Sequence, residues 1–201
     1  MRLYLVSNNL VIENIEYETG ENVDEKRLAR PLSINGEKEA IKLIQKIKAD
    51  LIYSSNYASA VATAKYYAEY LHDKINISSL LNDSKIGNLQ NRNIKMLRFM
   101  QERDFDFKFT NGESLNETNK RMTLVINKII KNNPERNIVV FTQKRAILSY
   151  LLYYLEHGYN LDDRLILSFK GRVIIDDVDN DLDIIRIDME DNHIIDINVI
   201  E

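Results

Sequence analysis

Asn137-Ile-Val-Val-Phe-Thr-Gln-Lys-Arg-Ala-Ile-Leu-Ser-Tyr-Leu-Leu-Tyr-Tyr-Leu155 joins an apolar run, Asn137 to Phe141, to a polar exit at Thr142 and Gln143. Such a run followed by such an exit reads as a buried strand running into a loop. Ile147, Leu148, Leu151, Leu152 and Leu155 then repeat every three or four residues, so a helix follows.

The same order occurs twice nearer the N-terminus. Leu3 to Val6 is a short apolar strand stopping at Ser7, Asn8 and Asn9. Pro31, Leu32, Ser33 and Gly36 precede a helix carrying Ala40, Ile41, Ile44 and Ile47, with Glu37 and Glu39 in its first turn, where the helix dipole favours them. Leu51 to Tyr53 is a second strand ending in Ser54, Ser55 and Asn56, and Val61, Ala64, Tyr67, Ala68 and Leu71 mark its helix. Strands alternating with helices predict an α/β, three-layer sandwich whose central, mostly parallel sheet is flanked by helices. In open sheets of this kind ligands sit outside the carboxyl ends of the strands, so the exits at Ser7, Ser54 and Gln143 should converge on one pocket.

The remaining segments fit around this frame. Residues 75–111, rich in Asn and charge, read as an insertion over the sheet's carboxyl edge, and Leu115 to Ile130 as a long amphipathic helix. From Leu165 onward Arg172 to Ile175, Asp183 to Asp188 and His193 to Val199 read as short strands joined by acidic turns. At 201 residues, 44% hydrophobic and 29% charged, the whole chain, 1–201, is expected to be one domain. A net charge of −4 argues against a nucleic-acid partner. The absence of cysteine removes disulfides, thiolate zinc sites and thiol nucleophiles and suits a cytoplasmic protein. No membrane span is expected.

Motifs at these strand exits, in this order, resemble the histidine phosphatase superfamily, the phosphoglycerate mutase-like proteins. Met1-Arg-Leu-Tyr-Leu-Val6 is similar to that family's first strand, and Arg30-Pro-Leu-Ser-Ile-Asn-Gly36 to its first helix start. Tyr53-Ser-Ser55 with Ala60 and Thr63-Ala64 resembles its second strand and helix. Leu81-Asn-Asp-Ser-Lys-Ile-Gly87 with Leu89-Gln90 looks like the segment bearing the mutases' acidic residue, and Gly112-Glu-Ser114 with Arg121 like a further marker.

The resemblance implies an Arg-His-Gly at the end of the first strand, its histidine attacking phosphorus; here those places read Ser7, Asn8 and Asn9. An amide nitrogen delocalises its lone pair into its carbonyl and is a very poor nucleophile. The implied second histidine aligns with Gln143 in Thr142-Gln143-Lys144, and a phosphate-clamping arginine aligns with Ser59. Glutamine can donate to phosphate but carries no charge and relays no proton near neutral pH. Asn14 matches an asparagine of the mutase-like branch, and Asp83 stands for the glutamate that serves there as general acid. Ser7, Asn8, Asn9, Asn14, Ser59, Asp83, Gln143 and Lys144 therefore form the expected degenerate pocket.

Other residues have simpler expectations. Lys144 and Arg145 could bind phosphate at a helix N-terminus, but solvated surface charge is favoured. His72 and His157 are expected at helix ends and His193 at the start of a β segment. Asp177, Asp179, Asp181 and Asp183 lack the glycine of a calcium loop at Leu182 and read as a hairpin turn. Phe105, Phe107 and Phe109 alternate with Asp106 and Lys108 and are expected to pack. The expectation is thus a catalytically inactive, binding, regulatory or scaffolding protein, with no catalytic residue, metal or cofactor. Its partners would be a small polar or weakly anionic ligand, a protein partner or a second copy. The alternative is a phosphatase, a phosphoglycerate mutase-like enzyme or another activity built around Asp83.

Overall fold

A computed structural model of the chain describes residues 1–8, 10–13, 21–90, 92–176, 178, 183–191 and 193–200. Its central sheet has the strand order β3-β2-β4-β1-β8-β9. The strands are β1 (Arg2–Ser7), β2 (Leu51–Ser54), β3 (Ile75–Ile77), β4 (Ile138–Thr142), β8 (Ile184–Glu190) and β9 (His193–Val199). The neighbours β3-β2, β2-β4 and β4-β1 run parallel, while β1-β8 and β8-β9 are antiparallel. A separate three-stranded antiparallel sheet holds β5 (Glu156–Tyr159), β6 (Leu165–Phe169) and β7 (Arg172–Ile175). The helices are α1 (Val23–Ala29), α2 (Ile34–Ile44), α3 (Ala58–Leu71), α4 (Ile94–Arg103), α5 (Leu115–Asn132) and α6 (Lys144–Leu151).

Successive side chains of a strand point to opposite faces, and the central strands use this to build two cores. Leu3, Leu5, Ile138 and Val140 pack with Met122, Ile126 and Ile129 of α5 and Ile147, Leu148 and Leu151 of α6. Tyr4, Val6, Val139 and Phe141 pack on the other face with Leu43 of α2 and Ala60, Ala64 and Tyr67 of α3. The result is the three-layer α/β sandwich. Each large apolar side chain withdrawn from water contributes roughly 1.5–3 kcal/mol. A third cluster, Val23, Ile86, Leu89, Ile94, Leu97 and Phe109, joins α1 and α4 to the loop that follows β3.

The structure departs from the sequence expectation at several elements. The helix placed after Gly36 begins at Ile34: Ser33 caps it by accepting from the Gly36 N–H at 3.1 Å, which puts Gly36 in its first turn. A Cβ there would lie 2.1 Å from the Leu10 carbonyl oxygen, so the chain leaving β1 can cross only above a glycine. The stretch 75–111 opens with β3, the edge strand of the central sheet, and contains α4. The alternating phenylalanines lie on a loop, Phe105 against the first core and Phe107 and Phe109 in the third cluster. His157 belongs to β5, edge-on to Phe105 with ring centroids 4.9 Å apart, whereas His72 caps the end of α3. The C-terminal strands divide between two sheets, β7 joining β5 and β6 while β8 and β9 extend the central one.

Candidate functional site

β1, β2 and β4 are adjacent and parallel, so their carboxyl ends bring Ser7, Ser54 and Ser55, and Thr142 and Gln143 to one edge of the sheet. Asn8, where the resemblance puts a nucleophile, uses both ends of its amide on the backbone: Nδ2 donates to the Gly36 carbonyl at 2.9 Å, and Oδ1 accepts from the Leu10 N–H at 3.2 Å. Gln143 is 8% exposed and holds Ser55, whose Oγ donates to Oε1 at 3.3 Å and lies 3.2 Å from Nε2. Thr142 Oγ1 donates to the Leu81 carbonyl at 2.5 Å. Ser7 and Ser59 are buried, Ser59 in the first turn of α3. The three histidines lie elsewhere: His72 at the end of α3, His157 in β5 and His193 at the start of β9.

Asp83 is the hub of the arrangement. It is 4% exposed; Oδ1 accepts from the Ala146 N–H at 3.1 Å in the first turn of α6, and Oδ2 accepts from Arg27 Nη2 at 2.5 Å. A carboxylate at that position satisfies an orphan helix donor and the positive end of the dipole together. Arg27 comes from α1, whose other anchor, Asp24, accepts from the Ile86 N–H at 2.8 Å and the Gly87 N–H at 3.0 Å. Gly87 has φ +74°, and a Cβ on it would sit 2.4 Å from the Gly112 nitrogen, so the segment Asp24 grips has little freedom.

Beneath Asp83 lies a second clamp. Arg121 Nε and Nη2 donate to Glu113 at 3.0 and 2.8 Å, and its remaining donors reach the carbonyls of Leu80, Asn82 and Asp83. The Gly112-Glu-Ser114 and Arg121 marker thus fixes the backbone that presents Asp83. Ser114 and Glu117 form a capping box that starts α5.

Tyr57, 6% exposed, feels these charges. Burial pushes its hydroxyl pKa well up; Arg27 opposes that, and Asp83 and Asp24 add to it. For Arg27, burial lowers the pKa, but Asp83 first and Tyr57 next outweigh it, so the net direction is upward. Its Nη1 is buried and without a hydrogen-bond partner.

The two cations after β4 differ from the solvated charges expected. Lys144 pairs with Asp183 at 3.1 Å with its side chain 16% exposed, and Arg145, 7% exposed, pairs with Glu102 at 2.7 Å. Asn9, Asn14, Asp177, Asp179 and Asp181 lie outside the described residues. Among the described residues no group of three or more His, Cys, Asp or Glu is placed to hold a metal ion, and no helix is long and apolar enough to cross a membrane. Sequence reasoning missed Arg27, Asp24 and Tyr57. Asp24-Glu-Lys-Arg27 looks like an ordinary surface charge cluster, and only the i, i+3 spacing of Asp24 and Arg27 hinted at a shared face.

A mixed, mostly parallel sheet covered on both faces, with polar groups gathered at its carboxyl edge, defines a three-layer α/β protein. Residues 18–181 match the histidine phosphatase superfamily (branch 1), and the chain belongs to that family. The matched stretch begins after β1 and its exit. No curated protein sequence matches the chain.

Solved structures share its fold at low identity. A histidine-to-alanine mutant of the phosphoserine phosphatase from Entamoeba histolytica, in complex with phosphoserine, is similar over 98% of this chain and 96% of its own, at 17% identity and a TM-score of 0.69. Mycobacterial glucosyl-3-phosphoglycerate phosphatase is similar over 85% and 98%, at 15% identity and 0.64. Bacillus stearothermophilus YhfR is similar over 86% and 97%, at 15% identity and 0.61.

Proposed function

We propose that this chain is a non-catalytic histidine-phosphatase-like protein that acts by binding, in a regulatory or scaffolding role. The observation that carries the reading is the engagement of its strand-exit groups by the protein itself. Asn8 is bonded to backbone on both sides, Gln143 to Ser55, and Asp83 to Arg27 and the α6 N-terminus. Phosphoryl transfer through the protein needs a nucleophile with a free lone pair and fixed positive charge around the transferred group. Neutral amides stand at Asn8 and Gln143, Ser7 and Ser59 carry hydroxyls, and Lys144 and Arg145 are paired with acids. Each missing group of that kind costs roughly 10³-fold in rate.

The site that remains suits a small, uncharged or weakly anionic ligand better than a phosphomonoester dianion. The competing reading, hydrolysis or phosphomutase chemistry run from Asp83, requires that carboxylate to leave Arg27 and Ala146. Calorimetric titration with orthovanadate, which mimics the trigonal-bipyramidal phosphoryl-transfer state, separates the two. No saturable heat is expected. Stoichiometric vanadate binding that disappears in Asp83→Asn, in protein whose circular dichroism is unchanged, would overturn the proposal.

A further inference from the structure

We infer that Lys144 and Asp183 form an autoinhibitory bar across the exit of β1, with Asp183 holding the cation to which inorganic phosphate or a similar small oxyanion would otherwise bind. The inference deepens the binding role proposed above and rests on it. Lys144 is the first residue of α6, two past the end of β4, and Asp183 immediately precedes β8. β1 lies between β4 and β8 in the sheet. Its last residue, Ser7, pairs with Thr142 on one side and donates its N–H to the Asp183 carbonyl at 2.9 Å on the other. Neighbouring strands stand roughly 4.8 Å apart, so the backbones at the ends of β4 and β8 are separated by about 10 Å. The 3.1 Å contact between Lys144 Nζ and Asp183 Oδ1 therefore spans the end of β1, where Asn8 stands in place of a nucleophile.

Burial separates the two halves of the bar. The Lys144 side chain is 16% exposed and that of Asp183 57%, so the ammonium is mostly withdrawn from water and the carboxylate is not. An ammonium so placed is costly without a counterion, and an anion that reaches it gains what Asp183 gives up. Lysine offers that anion a compact positive charge with three donors, which suits a phosphate oxygen.

The neighbouring ion pairs are held more firmly. Asp83 is matched to Arg27 and the Ala146 N–H, and Glu102 to Arg145, and these two carboxylates are 3% and 22% exposed. Asp183 is thus the acid that an incoming anion can most readily replace. It also ends the run Asp176-Asp-Val-Asp-Asn-Asp-Leu-Asp183, whose five aspartates repel any second anion. The bar closes the β1 exit by occupying its cation, and the charge of the run it belongs to opposes displacement.

Calorimetric titration of the full chain with inorganic phosphate tests this. Wild-type protein should give no saturable heat. Asp183→Ala and the isosteric Asp183→Asn, with unchanged circular dichroism, should bind one phosphate at least about tenfold more tightly than the limit set by wild type. Lys144→Met in either background should abolish the gain, and none of these proteins should release phosphate from p-nitrophenyl phosphate. Asp183 variants that bind phosphate no better than wild type, or whose binding survives Lys144→Met, would overturn the inference and leave the non-catalytic reading standing. Phosphate release by the wild-type chain would overturn the reading on which it rests.

Discussion

Arg27 and Asp83 meet at 2.5 Å with side chains 11% and 3% exposed, so removing either one leaves the other charge stranded away from water. Asp83→Asn or Arg27→Met should each lower the unfolding free energy by about 3–5 kcal/mol in urea titrations. The double variant should lose less than the sum, since no lone charge remains. Losses below about 1 kcal/mol would mean that water reaches the pair freely.

Tyr57 gives the same site a signature in pH. Its pKa is raised above the ordinary value of 10.0 mainly by burial, so the folded protein keeps a proton that the unfolded chain gives up. Stability is therefore full below about pH 10 and falls as pH rises further, because the unfolded state then binds fewer protons. Thermal melts from neutral to strongly alkaline pH should show this fall, and Tyr57→Phe should make it shallower. Asp83 was legible as a site residue because its neighbours Leu81 to Gly87 resemble a family segment. Arg27 was not, because 56 residues separate it from Asp83 and a charged quartet on a short helix carries no sign of what it will touch.

The free edge of β9 shows how one element is kept from pairing with a neighbour. Lys170 Nζ donates to the Ile195 carbonyl at 2.9 Å, and Arg172 Nη2 donates to the Ile197 carbonyl at 3.0 Å. The Ile197 N–H is taken by Asp196 Oδ1 at 3.0 Å. Side chains from the β6–β7 hairpin thus occupy groups that an incoming strand would use, which disfavours association through the C-terminal β segments. Lys170→Ala with Arg172→Ala should expose this edge, raising light scattering and thioflavin binding on prolonged incubation, while wild-type protein stays clear. An unchanged scattering trace would show that the two side chains do not guard the edge.

Elements with strong apolar runs or periodicity were readable: β1 and β4 are buried on both faces between the two cores, and α3 and α5 each bury a repeating face. Those missed had weak signals. β3 is three residues long, α1 is seven, and β5 reads Glu-His-Gly-Tyr, with no apolar alternation. The assignment of β7 and β8 to different sheets depends on tertiary packing that local sequence does not encode.

For the molecule as a whole, the three-layer α/β architecture followed from three strand-exit-helix repeats, because apolar strands covered on both faces have few other arrangements. The gathering of Ser7, Ser55 and Gln143 at one edge followed from the parallel order of β1, β4 and β2. The sequence could not show how those groups are spent. Asn8 is turned onto the Gly36 carbonyl, Lys144 onto Asp183 and Arg145 onto Glu102, long-range contacts that link residues between 28 and 43 positions apart. Family membership alone does not decide the activity, and the proposed non-catalytic reading rests on the groups at the strand ends.

Release of inorganic phosphate from a panel of phosphomonoesters, including p-nitrophenyl phosphate, tests that account most directly. With purified wild-type chain it should not exceed the protein-free rate from acidic to alkaline pH. Turnover that persists in Asn8→Ala and is abolished in folded Asp83→Asn would contradict it and place a working acid in the remodelled pocket.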